Sequence, residues 1–198
     1  MANKCKIIYF ILTMPFKKLS IPEITLFEPD VFFDERGFFF ESYNELKFNQ
    51  AVSREVKFVQ DNHSKSTKGV LRGLHYQSSP NEQAKLVRVI EGEVWDVAVD
   101  IRINSNTYGK WVAETLSADN KKQLWIPEGF AHGFYVLSDV AELVYKVNQF
   151  YSQPHEQTIH WRDNPFNIEW PILNNEQIFL SKKDSEAKPF ILSSKYKD

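Results

Sequence analysis

A single cysteine, Cys5, stands in 198 residues, so no disulfide can close within the chain and a cysteine-rich zinc site is excluded. Neither sign of charge is gathered into a block. The 24 basic and 26 acidic residues are interspersed and leave a formal net charge of -2, which argues against nucleic-acid binding or membrane-surface binding through bulk charge. No apolar run is long enough to cross a bilayer. The run at 7–13, preceded by Lys4 and Lys6, is too short for that, and no small-residue cleavage pattern follows it. A cytoplasmic protein is therefore expected, in keeping with the lone thiol. Internal repeats, low-complexity tracts and a sustained helical period are all missing. With no break in composition, one domain over residues 14–198 is expected, preceded by an extension at 1–13 that is either incidental, with Met14 as an alternative start, or an extra edge strand.

What is present is alternation. Apolar residues make up 42% and aromatic residues 15%, a bias that suits sheet surfaces and leaves rings for stacking on a sugar or base. The stretch 70–100 is the most informative. In Val94-Trp95-Asp96-Val97-Ala98-Val99-Asp100, period-two alternation puts Trp95, Val97 and Val99 on one face and Asp96, Ala98 and Asp100 on the other. Gly92, between two apolar runs, predicts a hairpin with a positive φ. Further strands are expected at 21–27, 38–43, 57–64, 110–116, 123–126, 131–137 and 142–150, with a turn at 34–37 and a short helix at 44–51. The tail from Ser152, with Pro154, Pro165, Pro171 and Pro189, is expected to wrap the strands. Short strands at roughly ten-residue spacing predict a β-sandwich or barrel.

Polar chemistry concentrates in the same region. Arg72, His75, Lys85 and Asp96 supply a fixed cation, an imidazole, an amine and a carboxylate. A strand histidine is more often a satisfied core or surface residue than a catalyst. Arg72 tips the balance, because a buried guanidinium demands an anion such as a phosphate, and Gly73 permits a close backbone approach. A metal site would need a second histidine two residues beyond His75, where Gln77 stands. None of His63, His75, His132, His155 and His160 shares that spacing, and Glu82 does not complete a ligand set, so no metal is expected. On local pattern alone, Tyr145 and His132 each allow two readings, a core residue or a ligand contact. Asp184 reads locally as a turn residue.

Taken together, several stretches resemble the dTDP-4-dehydrorhamnose 3,5-epimerase family. They are Asp34-Glu35-Arg36-Gly37-Phe38-Phe39-Phe40-Glu41, Gln60-Asp61-Asn62, Leu71-Arg72-Gly73-Leu74-His75-Tyr76-Gln77, Ala84-Lys85-Leu86-Val87, the run from Asp96 to Arg102, the run from Trp125 to Phe134, and Tyr145-Lys146. The resemblance covers nearly all of 34–184, and its force lies in the order and spacing of the motifs. It implies a mainly β, cupin-type β-barrel (jelly roll) with one or a few short helices and a wrapping C-terminal tail. It also implies a dTDP-linked 4-keto-6-deoxyhexose as substrate and a reaction that needs no cofactor.

The ketone at carbon 4 of such a sugar acidifies the hydrogens on carbons 3 and 5. The resemblance makes His75 the base, Asp184 its orienting partner, Lys85 the cation beside the ketone oxygen and Tyr145 the acid that returns a proton to the opposite face. It further places Arg72 at the diphosphate, and Arg36, Glu41, Gln60, Asn62, His132, Glu156 and Lys183 around the sugar nucleotide. Phe39 and Tyr151 would stack, and Asp96 would hold Lys85 or His75. Gln149-Phe150 departs from the family, which often has an acidic residue and a tyrosine there. A homodimer paired through strand edges near the N-terminus is expected. Two other activities fit the same residues, an epimerase that inverts one carbon only and a non-catalytic sugar-nucleotide-binding cupin.

Overall fold

Between residues 60 and 147 the alternating pattern becomes eight strands that mostly take turns between two facing sheets. A computed structural model describes residues 15–162, 165–173 and 176–190, so the extension expected at 1–13 lies outside the described residues. The strands are β1 (Phe16–Lys18), β2 (Thr25–Phe27), β3 (Phe32–Asp34), β4 (Gly37–Phe39), β5 (Gln60–Thr67), β6 (Leu71–Gln77), β7 (Lys85–Glu91), β8 (Glu93–Asp100), β9 (Trp111–Ser117), β10 (Gln123–Ile126), β11 (Phe130–Val136), β12 (Val140–Val147) and β13 (Glu156–Thr158). Helix α1 spans Glu45–Val52 and α2 spans Lys182–Ser185. One sheet runs β1-β2-β10-β7-β12-β5 and the other β13-β6-β11-β8-β9, while β3 and β4 form a separate ribbon. This is the jelly-roll layout of a cupin barrel.

The space between the sheets is filled at one end by an apolar cluster that includes Leu26, Val87, Val89, Val94, Ala98, Phe134 and Leu143. Each large aliphatic or aromatic side chain buried there contributes about 1.5–3 kcal/mol. The outer face of the six-stranded sheet is covered by α1, whose Phe48 and Ala51 pack with Phe27, Leu86 and Trp125. Asn44 caps α1 by accepting a hydrogen bond from the Lys47 amide at 3.2 Å. The C-terminal tail covers the outer face of the five-stranded sheet. Ile159, Phe166 and Phe190 pack on Leu74, Val97 and Val99, and Trp161 packs on Leu71 and Tyr135. Wrapping by the tail and the two-faced reading of 94–100 are thus what the structure has, with β13 added at a sheet edge.

Three local expectations are corrected. Gly92 is not the turn of a hairpin, because β7 pairs with β10 and β12 whereas β8 pairs with β9 and β11. It is a corner at which the chain crosses between sheets. Its φ of 73° meets the expectation, and a Cβ there would collide with the Val140 carbonyl oxygen and the Ser138 hydroxyl. The strand expected at 21–27 is only Thr25–Phe27, since Pro22 sits in a turn. The strand expected to be buried at 38–43 is instead the exposed β4, with Phe38 and Phe39 at 55% and 69% exposure.

Candidate active site

Arg72 and His75 are three residues apart on β6, a spacing that regular alternation would send to opposite faces. The β6–β11 pairing shifts register there. His132 lies opposite His75, while Phe134, two residues on, lies opposite Arg72 rather than Gly73. Gly73 makes the shift possible. It adopts a φ of 123°, and a Cβ on it would fall 2.6 Å from the Gly133 Cα. The close approach expected at Gly73 is therefore to the β11 backbone.

The imidazole of His75 is held from the tail. Its Nε2 lies 2.5 Å from Asp184 Oδ1, and the Asp184 carboxylate is almost wholly buried. Because a carboxylate only accepts, Nε2 carries the proton and the lone pair is left on Nδ1. Ser181 donates its hydroxyl to Asp184 Oδ2 at 2.8 Å. Burial acts to raise Asp184, but the hydrogen bond and charge of His75, with Ser181 and Lys183, outweigh it and keep the carboxyl below its ordinary range.

From the opposite sheet comes Lys85, at the start of β7 on the same face as Val87 and Val89. Its ammonium lies 3.4 Å from the His75 carbonyl oxygen. The residue as a whole keeps some solvent contact, yet the atoms packed round Nζ pull its pKa down to about 8; the charges of Asp96 and Glu156 oppose that pull and Lys183 adds to it. Tyr145 stands on the lumen-facing side of β12, partly packed on the inner apolar cluster. Burial raises its phenol, Arg72 works against that rise, and Glu156 reinforces it. The hydroxyl has no hydrogen-bond partner among the described residues.

The same charges tie the remaining members together. Glu156, on β13, accepts from Lys183 Nζ at 2.6 Å and from the Tyr151 hydroxyl at 3.2 Å. Burial works to raise this carboxyl, and Lys183, Tyr151 and His75 more than reverse it. Glu156 acts on Lys85 and Tyr145 and is itself acted on by His75, so the amine, the phenol and the imidazole all lie within electrostatic reach of one carboxylate. Gln60 donates to Asn62 at 2.8 Å, and Asn62 is the direct cross-strand neighbour of Tyr145. Arg72 is exposed; it donates to the Ser66 hydroxyl at 3.0 Å and the Lys65 carbonyl at 3.1 Å, and among the described residues it has no carboxylate partner. The argument that its burial would require an anion does not apply, but its charge is unspent.

Two assignments change. Asp96 holds neither His75 nor the Lys85 ammonium by a hydrogen bond. Both its oxygens lie 2.9 Å from Nε2 of His132, one strand away on β11. His132 is buried, and that burial lowers its pKa against the pull of Asp96, with Lys85 and His75 adding to the fall; Asp96 fixes the position of the ring. Arg36, Phe39 and Glu41 are engaged away from His75, Lys85 and Tyr145. Arg36 pairs with Asp34 at 2.6 Å, Glu41 with Lys47 at 2.7 Å, and Phe39 lines a cavity with Arg88 and Ile90 on the outer side of β7.

Gln77 is also explained. Its amide donates to the Asn81 carbonyl at 2.5 Å and accepts from the Ser152 amide at 2.6 Å, so it ties together two loops near the cavity. Among the described residues no three His, Cys, Asp or Glu side chains are grouped to hold a metal ion. Sequence reasoning passed over Ser66 and Ser181, which hold Arg72 and Asp184. Ser181 carried a signal, since Ser-x-x-Asp is a helix-start pattern.

A family model described as dTDP-4-dehydrorhamnose 3,5-epimerase matches residues 18–191. The chain is 63% identical to the dTDP-4-dehydrorhamnose 3,5-epimerase of Shigella flexneri over 88% of this chain and 94% of that one. It is 56% identical to the enzyme of the same name from Pseudomonas aeruginosa, over 87% and 94%. Among solved structures it is similar to a dTDP-6-deoxy-D-glucose-3,5-epimerase from Legionella pneumophila, in complex with dTDP-4-keto-L-rhamnose, with a TM-score of 0.85, 50% identity, and 88% and 92% of the two chains covered. A match of this extent settles the affiliation: the chain belongs to the dTDP-4-dehydrorhamnose 3,5-epimerase family.

Proposed function

We propose that this protein inverts carbons 3 and 5 of dTDP-4-dehydro-6-deoxy-glucose to give dTDP-4-dehydro-rhamnose, using its own side chains. Nδ1 of His75 takes the proton from the carbon beside the ketone. The C–H electron pair moves into an enolate whose oxygen is met by the Lys85 ammonium. Asp184 favours the imidazolium that forms. Tyr145, kept protonated by burial, gives a proton to the opposite face of that carbon. The cycle at the second carbon follows once His75 and Tyr145 have exchanged protons with water. No electrons are gained or lost overall. Arg72 receives the diphosphate, and Gln60, Asn62, His132, Tyr151, Glu156 and Lys183 line the sugar nucleotide. The single observation that carries this reading is the buried Asp184 carboxylate held on Nε2 of His75, with the Lys85 ammonium 3.4 Å from the His75 carbonyl oxygen.

The proposal includes a homodimer working in the cytoplasm. Phe32, Phe33, Phe38 and Phe39 are all exposed on the β3–β4 ribbon, an apolar surface a second copy would cover. Arg36, Phe39 and Glu41 match family positions around the substrate yet stand outside their own cavity, so the cavity they serve is a partner's.

The test is incubation with dTDP-4-keto-6-deoxyglucose in heavy water, read by NMR. Deuterium at both carbons with inversion is expected, and His75→Ala should abolish exchange. Label at one carbon only would make this a single-carbon epimerase. Tight ligand binding with no exchange by the wild-type protein would leave a binding cupin.

A further inference from the structure

The Asp184 carboxylate has both oxygens committed, one to His75 and the other to the hydroxyl at the start of its own helix. Ser181 begins α2 as its N-cap and accepts the Asp184 backbone amide at 3.1 Å. In a capping box the N3 carboxylate would turn back to the N-cap amide. Here Asp184, at N3, receives the Ser181 hydroxyl on Oδ2 and offers Oδ1 to His75. One hydroxyl thus accepts from the backbone of Asp184 and donates to its side chain, which closes a small ring of bonds. A carboxylate held at both oxygens cannot rotate away from the imidazole.

We infer that Ser181 is a positioning residue of the epimerisation, orienting Asp184 so that His75 keeps Nε2 protonated and Nδ1 free as the base. The inference rests on the reading of His75 as the base given above. It differs from a capping role in what it demands. A cap needs only an oxygen that accepts from the Asp184 amide, whereas orientation needs the hydroxyl proton as well. Buried and deprived of that donor, Oδ2 would be an unsatisfied anionic oxygen beside the imidazole. The charge of Asp184 would then weigh more heavily on the pair, so that His75 would be freed as a base only at higher pH.

Three substitutions separate the roles, with the full chain and its kcat, KM and pH profile as readouts and circular dichroism to follow folding. Ser181→Asp keeps a first-rank N-cap acceptor but removes the donor and adds a negative charge. It should fold, lose about 10-fold or more in kcat with KM changed by less than about 2-fold, and shift the acid limb of kcat/KM upward by about half a unit or more. Ser181→Ala should lose kcat similarly with a smaller shift, and Ser181→Thr, which retains the hydroxyl, should recover most of the rate. Wild-type kcat and an unmoved acid limb in a folded Ser181→Asp protein would overturn the inference. His75→Ala serves as the separate control: if it still exchanges deuterium, the assignment of the base has failed, whatever Ser181 does.

Discussion

Lys85 offers the sharpest test of the electrostatics, because its charge is both needed and expensive. With a pKa near 8, about nine-tenths of the ammonium is charged at pH 7 and about one-tenth at pH 9. If that charge meets the enolate, kcat/KM should fall along an alkaline limb centred near 8, well before the Tyr145 phenol, raised by burial, begins to ionise. Lys85→Arg should erase that limb, since a guanidinium stays charged beyond the accessible range, though at a lower plateau because the flat fork fits the position poorly. Lys85→Met should cost about 100- to 1,000-fold in kcat, the scale of one lost oxyanion donor.

The same group makes a stability prediction of opposite sign. A lysine whose folded pKa is depressed binds fewer protons folded than unfolded between pH 8 and 10.5, so stability should rise with pH across that window. At pH 7 the protonated lysine carries a penalty of about 3 kcal/mol at most, and Lys85→Met should recover part of it as a higher urea midpoint. The assay is deuterium wash-in by NMR across pH, paired with equilibrium unfolding at pH 7 and pH 9. An alkaline limb near 8 that persists in Lys85→Arg, or full turnover by Lys85→Met, would refute the role assigned to the amine.

Other consequences are direct. Tyr145→Phe should retain exchange of at least one sugar hydrogen while losing inversion, and NMR showing a fully inverted product would remove the phenol from the mechanism. Gly73→Ala should fail to fold or lose about 3 kcal/mol or more, because the new methyl meets the Gly133 backbone and the φ of 123° is unfavourable for alanine; a melt close to wild type would contradict the packing described at the register shift. Light scattering should give a dimer at micromolar concentration. Mixing separately inactive Arg36→Ala and His75→Ala proteins should restore activity through hybrid dimers, whereas no recovery after subunit exchange would mean that each cavity is complete by itself.

The sequence made some of this readable and hid the rest for physical reasons. Alternation correctly assigned Trp95, Val97 and Val99 to one face of β8 and Asp96 and Ala98 to the other, because period two is a property of a single strand. Gly92 signalled a positive φ correctly but not the partner of the following strand, since a corner and a hairpin make the same demand on one residue. The run Phe38-Phe39-Phe40 announced hydrophobicity, which says that a surface will be covered without saying by what. The break in alternation between Arg72 and His75 is a register shift created jointly with Gly133 on a distant strand. Nothing near Asp184 in sequence announces an imidazole 109 residues away; that link came from the family resemblance. Resemblance gave Asp96 a holding role on Lys85 or His75, whereas its hydrogen-bond partner, His132, is brought to it by the pairing of β8 with β11.

That long separation bears on how the protein is made. A growing chain leaves the ribosome from its N-terminus, so β6 and its histidine can find their neighbours well before the helix bearing the aspartate has been translated. Until that last turn docks, the His75 imidazole lacks the carboxylate that fixes its tautomer, and its proton is free to sit on either nitrogen. The imidazole–carboxylate pair is therefore completed late in synthesis, once the tail has packed on the outer face of the five-stranded sheet and brought Asp184 to His75.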